Sequence, residues 1–426
     1  MRNLALMWVV AGVVSFAAVQ ADTVQSWKSG ETTATLTDDG TLRVSGNGAM
    51  MDHYYYIDPE GYWPQWCRYL SEKVSVTKAV IGDSVTHIGN NTFGGCCELM
   101  SIAIGNSVAS IGSWAFITGC DNQMSIEVAV AADNAHYYSE DGVLFNKNKT
   151  TLIRYPGYKQ GPYVIPDNVM YIDDWAFYQC DGLTSVTFLK NLKIIGGSTF
   201  RNCNSLTSIT IPNSVASIGD RAFSGCENLT SVTIGNSVAS IGSGVFLGCG
   251  NLTSIEIAAD NAHYISEDGV IFNKNKTALI HYPMSRQGPY VIPNSVMYID
   301  DGAFYKCDGL TSVTFPKNLK ILGEYTFRNC NGLTSVTIPK SVRIIGTGAF
   351  YACTNLMSVT IPKNVRIIGA EAFANCDSLK LITFHGLILP KLGYGALVLS
   401  TVVFVIFIII IIIRKSRKKQ GKEKRK

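Results

Sequence analysis

Charge is thin on this chain. Lys, Arg, Asp and Glu make up 16% of its 426 residues, and only six residues are histidine. Those six are scattered, and His136 and His263 are one position written twice, each inside the string Asp-Asn-Ala-His-Tyr. A metal site needs histidine, cysteine or carboxylates clustered at ligand spacing, and no such cluster is legible. H-E-x-x-H, C-x-x-C, G-x-S-x-G and Walker strings are all missing. With them go the signatures of zinc proteases, serine hydrolases and nucleotide-dependent enzymes, so no enzyme, cofactor or metal is expected. The acidic doublets Asp173-Asp174 and Asp300-Asp301 are also copies of each other, and capping a turn is role enough for them.

A net charge of +4 averages unlike parts. The segment Arg414 to Lys426 holds nine Lys or Arg and one Glu. With that tail and Arg2 set aside, 26 basic residues face 31 acidic ones, which excludes a generally basic nucleic-acid binder. A hydrophobic fraction of 47% is ample for a core and excludes wholesale disorder.

The two ends suggest a topology. Residues 1–21 read as a secretory signal peptide, with an apolar run from Leu4 to Val14 and a cleavage site at Val19-Gln20-Ala21. Leu392 to Ile413 carries no charge at all and is long enough to span a bilayer. The basic tail 414–426 follows at once, which places it in the cytoplasm and the preceding chain outside. The expectation is a single-pass, type I cell-surface protein. The tail serves either as a stop-transfer signal or as an anchor to anionic lipid. A second localisation, attachment to a cell wall, comes from Leu389-Pro390-Lys391-Leu392-Gly393. That string resembles the LPxTG sorting signal of Gram-positive wall proteins, with Leu392 where threonine belongs.

Between the ends one unit is repeated. A single constant step separates Phe93 from Phe116, links Phe177, Phe200, Phe223 and Phe246, and links Phe304, Phe327, Phe350 and Phe373. A longer period copies one long and three short units together, carrying Cys180 onto Cys307 and His136 onto His263. Within a unit, Leu229, Val232 and Ile234 have the L-x-x-L-x-L spacing of leucine-rich repeats. Pro212 or Gly235 then ends the strand, Val238 and Ile241 point back inward, and Gly242 turns the chain. A residue such as Asp220 is placed to cap a single helical turn carrying Phe223. One unit cannot bury its own apolar face; about ten stacked units can. The fold class expected is a β-rich solenoid of about ten such coils plus two longer hairpin-containing units, with coils ~4.8 Å apart and a C-terminal transmembrane helix. The domains are 1–21 signal peptide, 22–80 N-terminal cap, 81–386 solenoid, 387–391 linker, 392–413 transmembrane helix and 414–426 tail.

The string I-P-x-S-V-x-x-I-G-x-x-A-F-x-x-C-x-x-L-T-S-V resembles the BspA-like leucine-rich repeat surface proteins over roughly Leu36 to Phe384. Asp39 to Met50 and Trp63-Pro64-Gln65-Trp66 are similar to that family's lead-in. The resemblance implies adhesion to proteins or glycans on host cells, matrix or other microbes. A purely architectural surface spacer, with no specific ligand, is the alternative.

Ten of the 12 cysteines share one repeat position: Cys96, Cys120, Cys180, Cys203, Cys226, Cys249, Cys307, Cys330, Cys353 and Cys376. An inward, mostly reduced ladder is expected, each thiol filling the volume its neighbour fills. Cys67 and Cys97 fall outside it and are the better candidates for a bond. The long unit carries short apolar runs around Asn146 to Lys149, copied at Asn273 to Lys276, which read as a β-hairpin. That hairpin either projects as an arm or packs as an enlarged coil. Sequons stand at Asn90, Asn148, Asn228, Asn251 and Asn275. Finally, the loop after the strand turns basic in the last three units. Lys317, Lys340 and Lys363 recur at the phenylalanine step, and so do Lys320, Arg343 and Arg366. Stacking makes two basic columns of these six, a candidate site for an anionic ligand such as a sulfated glycan.

Overall fold

The step between phenylalanines is a physical displacement in the fold. The computed structural model describes residues 21–53, 64–68, 74–117, 126–384 and 387–390. In it Ser208–Ile211, Ser231–Ile234 and Ser254–Ile257 are parallel strands, with Ile209 opposite Val232 and Val232 opposite Ile255. The pleat sends successive side chains to opposite faces. Val232 and Ile234 are therefore buried while Thr233 is exposed. After the turn at Pro212 or Gly235, two-residue strands at Ser217–Ile218 and Ser240–Ile241 extend a second parallel column that includes Tyr171–Ile172 and Ile194–Ile195. Gly242 follows that strand because the coils touch there: a Cβ on it would stand 2.4 Å from the Asp220 nitrogen.

The third side of each coil is the phenylalanine turn. The expected helical turn does not form. Arg221 (φ 54°) and Gly225 (φ 75°) flank Phe223 with left-handed backbone, which interrupts any helical run. The N–H groups freed this way bond forward to the next coil, Phe200 to Ala222 at 2.7 Å and Asn202 to Ser224 at 2.9 Å. Asp220 does cap, but not its own turn. Its Oδ1 accepts the N–H of Ser243, one coil on, at 2.8 Å.

Inside the turn two columns run through the stack. Phe177, Phe200, Phe223 and Phe246 stack with ring centroids 4.8, 5.3 and 5.8 Å apart. Phe304, Phe327, Phe350 and Phe373 repeat this at 4.6, 5.2 and 5.3 Å. Beside them the thiols of Cys203, Cys226 and Cys249 each donate to the phenylalanine carbonyl of the preceding coil at 3.0 Å. Cys330, Cys353 and Cys376 do the same at 2.9 to 3.1 Å. The same Phe177 and Phe200 carbonyls also accept the N–H of the cysteine three residues on. Cysteine therefore supplies small apolar volume and a weak donor at once.

The chain divides into two compact units at Gln123/Met124. In the first, Thr23–Ser29, Thr32–Thr37 and Thr41–Gly46 form an antiparallel meander. Its last strand pairs in parallel with Lys78–Ile81, which pairs with Ser101–Ile104. The sheet of the 22–80 segment thus runs on into the repeat strands. Cys96 also leaves the expected reduced ladder. It is bonded to Cys67, with Cα atoms 5.0 Å apart. Cys97 is disulfide-bonded as well, and Cys120 lies outside the described residues. The eight cysteines from Cys180 to Cys376 in the second unit are free and buried.

Each long unit in the second compact unit is a three-stranded meander, Tyr137–Glu140, Val143–Asn146 and Thr151–Arg154, copied at Tyr264–Glu267, Val270–Asn273 and Ala278–His281. Thr151–Arg154 pairs in parallel with Tyr171–Ile172, and Val143, Leu144 and Phe145 are all buried. The hairpin is an enlarged coil within the stack. The residues assigned to a 387–391 linker begin with a strand, Leu387–Pro390, antiparallel to Leu381–Phe384. Among the described residues no helix is long and apolar enough to cross a membrane. The signal-peptide residues 1–20, the 392–413 segment and the 414–426 tail lie outside the described residues.

Candidate interaction surfaces

The basic residues sit where the chain leaves one column of strands for the next. Arg343 N bonds to Lys320 O and Arg366 N to Arg343 O, each at 2.8 Å, so these three stack in register. Lys317, Lys340 and Lys363 are exposed at the preceding turns, and Asn364 Nδ2 ties the last two turns together through Lys340 O at 2.8 Å. The six are not equivalent. Arg343 is half-buried and folds its Nη1 onto the carbonyls of Lys340, Ser341 and Val342. The ion pairs among the described residues are His87–Asp52, Lys149–Glu140 and Lys276–Glu267, so none neutralises this strip. The earlier cassette puts Lys190 and Lys193 at the places of Lys317 and Lys320, both exposed. The duplication alone relates the two pairs. Asn213 to Ala216 follows it where the later cassette has Lys340 to Arg343, so the first cassette carries no long strip.

The sequons differ in what surrounds them. Asn90 is half-buried, its Oδ1 accepts Ser113 N, and the Thr92 hydroxyl is buried against Gly89 O. Asn228 is exposed but donates to Asn204 O. Asn148, Asn251 and Asn275 are exposed, and their amides make no hydrogen bond among the described residues.

A second surface, on the phenylalanine turns, was not visible in the sequence. Two residues before each core phenylalanine the backbone is left-handed, and Gly244, Gly302 and Gly348 occupy that place in three coils. Trp175 (φ 61°) and Tyr325 (φ 52°) occupy it in two others. A bulky side chain there costs about 1–2 kcal/mol that glycine avoids. Both rings are half-buried and both meet an arginine. Arg201 lies 5.5 Å from the Trp175 centroid, while Arg328 lies 5.4 Å from Tyr325 and 4.7 Å from Tyr351. The signal was hidden because this position varies from coil to coil while the phenylalanine does not.

Burial raises the thiols of Cys203, Cys249 and Cys330 well above the usual range. Cys353 is raised as well, first by its hydrogen bond with Cys376 and then by burial. Such thiols are protonated and poor nucleophiles. Asp173 and Asp300 are raised by burial too, but each accepts the N–H of its neighbour, Asp174 or Asp301, at 2.9 Å. Among the described residues no group of three or more His, Cys, Asp or Glu could hold a metal ion.

Residues 68–141, 160–277 and 288–394 match the description "BspA type Leucine rich repeat region", in six copies. A leucine-rich cell surface protein of Faecalibacterium prausnitzii is 26% identical with a TM-score of 0.50, and the match covers 86% of this chain and 96% of that one. A leucine-rich repeat protein of Eubacterium ventriosum is 23% identical over 84% of this chain and 70% of its own, with a TM-score of 0.36. The pneumococcal vaccine antigen PcpA is 18% identical over 84% of this chain and 81% of its own, with a TM-score of 0.48. No curated protein matches the chain.

Proposed function

This chain belongs to the BspA-type leucine-rich repeat family, and from that premise we propose that it is a cell-surface adhesion protein that binds extracellular proteins or glycans. The family match and the likeness to a Faecalibacterium cell surface protein support a surface location. The apolar 392–413 segment and the basic 414–426 tail support a single-pass anchor with the solenoid outside. Protease applied to intact cells should then leave a membrane-bound fragment of about 4–5 kDa bearing the tail. Cleavage within Leu389–Gly393 with transfer to wall material would instead favour wall attachment.

The observation that carries the ligand proposal is the strip of Lys317, Lys320, Lys340, Arg343, Lys363 and Arg366, in register and without a carboxylate partner among the described residues. Like charges facing each other cost roughly 0.2–1 kcal/mol per pair, and a polyanion relieves that cost. The predicted ligand is a sulfated glycan, held by charge. Heparin should bind the ectodomain, Asp22 to Leu389, and binding should weaken steeply toward ~0.15 M salt, where the Debye length is about 8 Å. A variant with all six residues changed to Ser should lose most of this affinity. If it folds and binds heparin as the parent does, the strip is only a solvated face.

A further inference from the structure

The duplication allows the chain to be compared with itself. Arg201 and Arg328 are the same position in the two cassettes. The first keeps an aromatic neighbour in the preceding coil, Trp175, whose copy is Gly302. The second has lost that neighbour, yet is clasped by Tyr325 in its own coil and Tyr351 in the next, whose counterparts are Ser198 and Ser224. An aromatic clasp on this arginine is thus present in both cassettes, made from different positions. In both it uses a left-handed site that glycine fills without strain in three other coils.

We infer that the Tyr325, Arg328 and Tyr351 cluster is a binding site for a glycan that carries a carboxylated sugar. Arg328 makes no ion pair among the described residues, and its Nε is buried without a hydrogen-bond partner. Its guanidinium is a planar fork matched to a carboxylate, and the half-buried Tyr325 and Tyr351 beside it leave part of their aromatic surface for the C–H groups of a pyranose. Tyr325 is fixed from below. A Cβ on Gly348 would stand 2.6 Å from its ring, so the ring rests on bare backbone. Asn375 Nδ2 holds the Tyr351 hydroxyl at 2.6 Å. A peptide is the poorer occupant because the main chain here is already spent. Tyr325, Phe327 and Asn329 donate their N–H groups to Thr347, Ala349 and Tyr351 of the next coil. A ligand must therefore be held by rings and the arginine fork, without backbone pairing.

The test measures binding of 3′-sialyllactose and a hyaluronan tetrasaccharide to the purified full-length chain, with lactose as the neutral control and a glutamate-rich hexapeptide as the rival. At least one acidic sugar should bind tenfold or more tighter than lactose. Tyr325→Gly and Arg328→Gln should each weaken it at least tenfold. Tyr325→Gly places glycine at a left-handed position, so its melting temperature should hold or rise, which separates lost binding from lost fold. The six-serine variant of the basic strip should bind as the parent does. The inference is overturned if both acidic sugars bind no better than lactose, or if Tyr325→Gly keeps its affinity. It is equally overturned if the strip variant alone loses binding, or if the hexapeptide binds as tightly with the same dependence on Tyr325 and Arg328.

Discussion

Replacing Phe223 with alanine tests the stacking logic at its centre. The ring is fully buried, with Phe200 at 5.3 Å on one side and Phe246 at 5.8 Å on the other. Removing it leaves a cavity that neither neighbour can fill without leaving its own coil. Buried phenylalanine to alanine costs roughly 3–5 kcal/mol, and two stacked ring pairs place this site toward the top of that range. Thr230→Ala is the control. That side chain is exposed and loses only a 2.9 Å hydrogen bond to Thr207 O, so it should cost under ~1 kcal/mol. Urea unfolding followed by circular dichroism reads both. Since each coil contacts only its neighbours, the damaged coil should also uncouple the flanking ones, and the alanine variant should unfold over a broader transition. Equal midpoint shifts for the two substitutions would refute the assignment of inward and outward faces.

His281 gives a pH dependence. It is buried, its Nε2 has no partner, and burial lowers its pKa from 6.5 to about 4. The unfolded chain takes up this proton first, so the contribution is complete above pH 6.5 and is lost as pH falls toward 4. The loss amounts to about 3 kcal/mol, and His281→Leu should flatten that part of the stability–pH curve. The eight free cysteines of the second unit should resist a thiol reagent in the native protein and react on unfolding; fast native labelling would mean that the ladder opens. Breaking the Cys67–Cys96 bond, which closes 29 residues, should cost about 3 kcal/mol. Cys67→Ser should therefore lower the melting of the first unit while leaving hydrogen exchange around Phe223 unchanged.

The solenoid was legible because its core is periodic. Phe223, Cys226, Leu229 and Val232 recur at one step, and burial at one repeat position implies burial at all. Features that break or bridge the period were not. Cys96 looks like every other ladder cysteine, and only Cys67, from outside the repeat, takes it into a disulfide. Asp220 looks like a cap on its own turn, but its partner Ser243 belongs to the next coil, which local reasoning does not see. The columns of Lys and Arg were readable as positions. That Arg343 spends itself on three carbonyls was not, because that depends on loop geometry. The strain at Trp175 and Tyr325 needed dihedral angles.

The thiol-to-carbonyl bond between coils has one more consequence. In the second unit the short coils from Cys203 to Cys249 and from Cys330 to Cys376 each place a thiol on a carbonyl of the coil before, so one short coil can follow another. Such a molecule grows as a one-dimensional crystal does, by adding unit cells. The duplicated cassette is one such addition. In the second unit, Leu387–Pro390 pairs antiparallel with Leu381–Phe384, the strand that follows Ser358–Ile361 in the parallel ladder. A further cassette added within the second unit would move a ligand site along that stack by a fixed increment, with no new contact to invent.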